Sequence, residues 1–298
     1  MERAWCTSFP ATLLSATDHV TPTRASVPPR LPRPDFSRRS HQTTDWLAWM
    51  ESHSLLAPTA PRPANSCSTC QGAVGSMGKI ALDGSDMFYR DCFRCRGYSE
   101  HLDHFVPITY SVTTGLESLL HRYKDFGADY SWMTHPLGAL LTTFLGTHRS
   151  CIELRTGGID VATFVPANEH ARKFNHLEDI IDSVTGSPVR QWFSWLPEIL
   201  QRNFSFERPG RGEIKSDAYM VDGSAVASKS VLLLDDTWTS GSSLVSCAAA
   251  LKSAGATQVV GLTIGRQLNE TNHYGSTDQI LTEVRGRRWT DVDCVFCT

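Results

Sequence analysis

No apolar run in this chain approaches the roughly 20 residues needed to cross a bilayer as a helix, and that excludes a helical membrane span. An excess of charge is missing too: 28 Lys and Arg stand against 31 Asp and Glu, a formal net charge of -3. No global basic field therefore draws the chain to nucleic acid or to an anionic membrane. Nor does the start carry a leader-like apolar core. Arg3 precedes a stretch broken by Pro10 and by several Thr and Ser, so no signal peptide is read and the cytoplasm is the expected compartment. Residues 1–60 lack sustained hydrophobic periodicity. Pro28, Pro29, Pro32 and Pro34 exclude helix or central strand there. Arg24, Arg30, Arg33, Arg38 and Arg39 make the stretch locally basic, so it reads as a disordered Pro/Arg-rich arm with weak nucleic-acid contact as its alternative use. Within it, Trp46 to Leu56 is expected to form a short helix with Asp45 as a cap.

What is present suits a soluble globular protein with a sizeable core: 298 residues, 41% hydrophobic and 20% charged. Of nine cysteines, six fall in three Cys-x-x-Cys pairs, which in a reducing compartment favours metal over disulfide. Cys67-Ser-Thr-Cys70 and Cys92-Phe-Arg-Cys95 flank a Gly-containing segment and offer four thiolates for tetrahedral Zn2+. The gap between them slightly exceeds the usual window for such pairs. Four cysteines leave no position for a catalytic water, so the ion is expected to be structural. It would hold together a zinc ribbon over residues 61–100, a segment too small to fold alone. Cys294-Val-Phe-Cys297 has no partner pair left and reads as an accessory thiol pair; a second metal site would need His273 or another cysteine. Cys6, Cys151 and Cys247 read as single thiols.

From residue 101 to 298 the pattern is that of an α/β domain. Thr114 to Asp125 and Trp132 to Leu145 read as helices, and Ile159 to Val165 as a strand ending at Pro166. Leu177 to Leu200 contains helical pieces interrupted by Gly186 and Pro188. The polar, Gly-containing residues 202–228 are expected to form a mobile flap or hood. Trp192 and Trp195 read as packing residues.

The most specific segment follows. Val231 to Leu234 is a continuous apolar run, as in a strand buried on both faces of a parallel sheet. It ends on Asp235 and Asp236, then Thr237, Trp238, Thr239, Ser240, Gly241, Ser242 and Ser243. Leu244, Cys247, Ala248 and Leu251 recur at helical spacing; Ser242 and Ser243 are the expected caps and Gly255 the expected stop. Thr257 to Ile264 reads as the next strand. Ligands of open parallel sheets sit at such strand ends. Backbone N–H groups, hydroxyls and a helix N-terminus suit a phosphate. The two carboxylates repel phosphate but accept hydrogen bonds from sugar hydroxyls, or hold Mg2+ through water. An acid pair that merely caps a helix is the plainer alternative.

This segment resembles the phosphoribosyl-pyrophosphate (PRPP) motif of type I phosphoribosyltransferases. The resemblance implies that Asp235 and Asp236 bind the ribose hydroxyls and that residues 237–243 bind the 5′-phosphate. Thr237 and Trp238 depart from the small or aliphatic residues usual there; Thr239, Ser240, Gly241 and Ser243 fit. The donor's pyrophosphate needs a second anion site. Phe164-Val-Pro-Ala-Asn-Glu-His-Ala-Arg172-Lys173-Phe-Asn175 is the candidate, although exposed Arg and Lys commonly only solvate a surface. A zinc ribbon, the His121-Arg-Tyr-Lys124-Asp segment, this Val-Pro loop and the acid-pair motif occur in that order over roughly residues 65 to 270. Together they resemble the ComF-like phosphoribosyltransferases, and Lys173 stands where that family has Gly.

The resemblance implies a type I phosphoribosyltransferase-like parallel sheet flanked by helices. It implies an enzyme that binds Mg–PRPP, transfers the phosphoribosyl group to an acceptor nitrogen such as that of a nucleobase, and releases pyrophosphate. The ribose becomes oxocarbenium-like, so positioning and charge matter more than a nucleophile. No residue that reads the acceptor is identifiable. The alternative is a binding module without turnover, a PRPP sensor or an accessory of DNA uptake that meets its machinery or single-stranded DNA.

Overall fold

Val231 to Leu234 are fully buried at the centre of strand β7 (Ser230–Trp238). They lie in a computed structural model that describes residues 31–34, 42–59, 65–112, 115–124, 130–167, 176–271 and 274–297. β7 belongs to a four-stranded parallel sheet with β3 (His104–Ser111), β4 (Val161–Phe164) and β8 (Gln258–Gln267), in the order β3-β8-β7-β4. Parallel sheets need both faces covered, which explains the unbroken apolar run. Alternation then divides the strand between two cores. Leu232 and Leu234 join Trp46, Leu119, Leu140 and Ile180 on one side; Val231 and Leu233 join Leu244, Val245 and Leu251 on the other.

The first face is covered by α1 (Thr43–Ser52), α2 (Leu116–Arg122), α3 (Thr134–Thr156) and α4 (His176–Asp182), with the short α5 (Val189–Trp192) beside them. The other face is covered by α7 (Ser242–Ser253) and by a lobe holding Cys67, Cys70 and Cys95. In that lobe β1 (Ser76–Ile80) and β2 (Asp86–Phe88) pair antiparallel between the two cysteine pairs. A further antiparallel pair, β5 (Leu200–Arg202) and β6 (Tyr219–Val221), precedes the short α6 (Gly223–Val226). Helix α8 (Thr277–Arg285) packs Ile280 and Leu281 against Tyr110 of β3. Among the described residues no helix is long and apolar enough to cross a membrane.

Three expectations change. The short helix expected within the arm is present as α1 but begins at Thr43, so Asp45, whose carboxylate accepts from Gln42 N, acts from inside the helix and not as its cap. Its Trp46 stacks on Trp132 at 6.2 Å and its Trp49 meets the same ring edge-on at 5.5 Å, which anchors the helix to the core. Residues 202–228 are held down: Gly212 N donates to Ser242 Oγ at 2.7 Å and Lys215 N to Ser246 Oγ at 2.9 Å. Helix α7 starts from Gly241, so Ser242 and Ser243 are its first helical residues and not its caps. Its other end follows expectation, since Ala256 N reaches back to Leu251 O across Gly255, whose φ is 102°.

Candidate functional site

Pairing of β4 with β7 brings Phe164 level with Leu234, so the loop after β4 leaves the sheet beside Asp235 and Asp236. Helix α2 approaches the same strand end from the first face. Just beyond its last turn, Tyr123 Oη donates to Asp236 Oδ2 at 2.7 Å and Lys124 Nζ pairs with the same oxygen at 2.5 Å. Asp236 is only 3% exposed, a burial that an unpaired carboxylate would not tolerate.

The two acids titrate in opposite directions. Asp236 sits below the ordinary carboxylate range: burial pushes it up, but the charge and hydrogen bond of Lys124, the charge of His176 and the Tyr123 hydroxyl outweigh that push. Asp235 is pushed well above that range by burial and by the neighbouring Asp236, with Lys124 too weak to compensate. Its Oδ1 accepts from Asp236 N at 2.9 Å. Lys124 thus pairs with one acid, and the second acid resists ionisation.

A cavity of about 520 Å3 opens over the pair. Thr237, Thr239 and Ser243 supply hydroxyls to it, and Lys124, Arg208 and Arg211 bring positive charge. Arg208 and Arg211 come from the β5–β6 connection and are exposed. A larger cavity of about 770 Å3 shares Glu117, Arg211, Thr239 and Gln267 with it and is walled by the Cys92–Cys95 turn. Carboxylates, hydroxyls and guanidinium groups around one void can bind a ligand that carries both hydroxyl groups and anionic groups.

The expected phosphate loop is divided between these surroundings. Trp238 is the last residue of β7, and its ring is buried against Phe105 at 4.3 Å and Tyr98 at 6.0 Å. It is a packing residue, and its large side chain is accommodated because it points into the core. Gly241 is fixed by that choice. Its φ is 81°, and a Cβ there would lie 2.3 Å from the Trp238 ring. Ser240 and Ser242 share a hydroxyl hydrogen bond at 3.0 Å, and Ser242 already accepts from the β5–β6 connection. Thr237, Thr239 and Ser243 therefore line the acid-pair cavity, while Ser240 lines the larger one. Arg172 and Lys173, the expected pyrophosphate residues, lie outside the described residues; Pro166 and Ala167, which lead toward them, line the acid-pair cavity.

Cys67, Cys70, Cys92 and Cys95 converge with their sulfurs all within 4.8 Å of one another, a set that could hold a metal ion such as zinc. Cys92 N and Cys70 N donate to Cys67 Sγ at 3.4 and 3.5 Å. Arg266, at the end of β8, is buried among them. Its Nη2 donates to Cys70 Sγ at 3.3 Å and its Nε to Cys70 O at 2.8 Å, while Nη1 reaches Trp238 O at 3.4 Å. Among the described residues no carboxylate pairs with Arg266, and the acidic group it meets is the Cys70 thiol. Cys70 is accordingly held well below the ordinary thiol range, by its hydrogen bonds with Cys67, Cys92 and Cys95 and by Arg266, against its burial. A buried cation set into four converging sulfurs fits a bound dication with four thiolates, whose net charge is negative.

Sequence reasoning assigned no role to Tyr123, Lys124, Arg208, Arg211 or Arg266. The first two stood in the His121–Asp125 segment as pattern only, and Arg208 and Arg211 fell within residues 202–228, read as a polar flap or hood. In comparisons with known proteins, no family model matches the chain and no curated protein matches it.

Proposed function

We propose that the chain is a phosphoribosyltransferase-like enzyme that binds Mg–PRPP and transfers its phosphoribosyl group to an acceptor nitrogen, releasing pyrophosphate. The observation that carries this reading is the adjacent acid pair at the end of β7, set in a cavity that hydroxyls and cations also line, with Glu117 and Gln267 at its wall. Asp235 and Asp236 accept from the ribose hydroxyls, with Lys124 and Tyr123 positioning Asp236. Thr237, Thr239 and Ser243 take the 5′-phosphate at the start of α7, and Arg208 and Arg211 face the anionic groups. Arg172 and Lys173 remain the pyrophosphate side. Asp235 and Asp236 would hold magnesium, which would neutralise charge on the leaving group. A second carboxylate without its own cation supports that fit.

The acceptor would enter from the adjoining larger cavity. Phe93 there is 80% exposed, an apolar ring open to stack on a planar acceptor such as a nucleobase. The cysteine lobe that carries Phe93 would act as the wall of the acceptor space, with structural zinc keeping it in shape.

The test is pyrophosphate release from PRPP with Mg2+ across a nucleobase panel, run beside equilibrium PRPP binding. Turnover with at least one base supports the enzyme. PRPP binding without turnover supports a sensor, and neither activity, with salt-dependent binding to single-stranded DNA in its place, supports the uptake module.

A further inference from the structure

We infer that His148, Cys151, Cys294 and Cys297 form a second, structural zinc site that clasps the C-terminal segment to α3. The third Cys-x-x-Cys pair thus has partners among the described residues; His273, the candidate named from sequence, lies outside them. His148 and Cys151 are three residues apart on α3 and so project from one face of the helix. Cys294 and Cys297 arrive from the irregular chain after α8, in a tight turn closed by Cys297 N to Cys294 O at 3.1 Å.

The four donor atoms all lie within 4.8 Å of one another. Cys297 Sγ is 3.0 Å from Cys294 Sγ, 3.2 Å from Cys151 Sγ and 3.2 Å from His148 Nδ1; Cys151 Sγ is 3.9 Å from the same nitrogen. With Zn–S near 2.3 Å and Zn–N near 2.0 Å, the edges of a tetrahedron are about 3.5–3.8 Å. The observed separations bracket that range. A disulfide would need an S–S bond of about 2.05 Å, and Cys297 stands almost equally close to two sulfurs. One bond would leave the third thiol and the imidazole without a role, whereas one ion uses all four. Phe296 N donates to Cys294 Sγ at 3.4 Å, the kind of N–H···S contact also made within the first cluster. Three thiolates with one imidazole select zinc over Mg2+ or Ca2+, and four protein ligands leave no open position for catalysis.

The clasp has mechanical consequences. Residues 289–297 contain no helix or strand of their own. They are held by side chains: Trp289 Nε1 donates to Ile108 O of β3 at 3.2 Å, and Cys294 and Val295 are buried in the core that α3 shares. An ion between α3 and Cys294–Cys297 fixes this segment beside the edge strand of the sheet. Cys297 is exposed, unlike Cys67, Cys70 and Cys95, so the second site opens to chelators first.

The test is metal content of the purified full chain, loaded with zinc under reducing conditions, beside its Cys297→Ser variant. Two zinc ions per chain are expected, falling to one in Cys297→Ser with an unchanged far-ultraviolet circular dichroism spectrum. Cobalt substitution gives a second readout: thiolate-to-metal charge-transfer intensity should fall from that of seven thiolates to that of four. Wild-type protein with one zinc, a variant that still holds two, or a Cys297 disulfide in the zinc-loaded protein would each overturn the assignment.

Discussion

Replacing Arg266 with Met removes a buried guanidinium while keeping an apolar stem of similar length. Four contacts go with it: those to Cys70 Sγ, Cys70 O, Trp238 O and Gln267 O. The lost positive charge is what balances the four-cysteine cluster, and removing one partner of a buried ion pair costs about 3–5 kcal/mol. If that penalty falls on the metal-bound thiolate state, zinc affinity drops by roughly two to four powers of ten. The assay is competition against chelators of graded strength, with released zinc quantified in Arg266→Met and in the unaltered chain. The His148–Cys297 site is an internal control, because Arg266 does not touch it. The variant should release the zinc of the first cluster to a chelator that leaves the parent's in place. Equal affinity within a few-fold would refute the claim that Arg266 carries the cluster's countercharge.

Gly241→Ala should disturb the loop before α7, because φ of 81° is strained for Ala and its Cβ would overlap the Trp238 ring. A destabilisation of about 1–3 kcal/mol is expected, read from denaturant midpoints; Gly241→Ala in a Trp238→Leu background should lose less, keeping only the part due to φ. Asp235 gives a pH signature. Its folded pKa is raised, so its contribution to stability is full below the ordinary carboxylate range and declines as pH rises through the folded value. A cation at the pair would favour the ionised form of Asp235. Mg2+-dependent PRPP binding should therefore tighten as pH rises over the same window, and a flat profile in Asp235→Asn identifies the group.

Much of the sheet was legible because burial on both faces leaves a simple trace. Val231–Leu234 and Thr257–Ile264 were readable as strands, and the acids were readable as their end. Strand β3 left no such trace, since Pro107, Thr109 and the polar residues at its ends interrupt the run. The direction of the Trp238 ring was hidden for a different reason. It depends on Phe105 and Tyr98, which the chain brings up from the cysteine lobe and β3. The same holds for His148 and Cys151 meeting Cys294 and Cys297: helix spacing gives one half of the site and Cys-x-x-Cys the other, but only the tertiary fold joins them. Lys124 was visible as a residue of a motif, yet its pairing with Asp236 requires α2 to end over β7.

The most direct measurement of the central claim is the melting temperature of the full chain with PRPP, with and without Mg2+, beside Asp236→Asn. A ligand at about a hundred times its Kd stabilises by about 2.7 kcal/mol, which for a chain of this size raises Tm by roughly 4–5 °C. The acid-pair site calls for that rise in the unaltered chain, dependent on Mg2+ and lost in Asp236→Asn. No rise at saturating PRPP, or an equal rise in the variant, would contradict it.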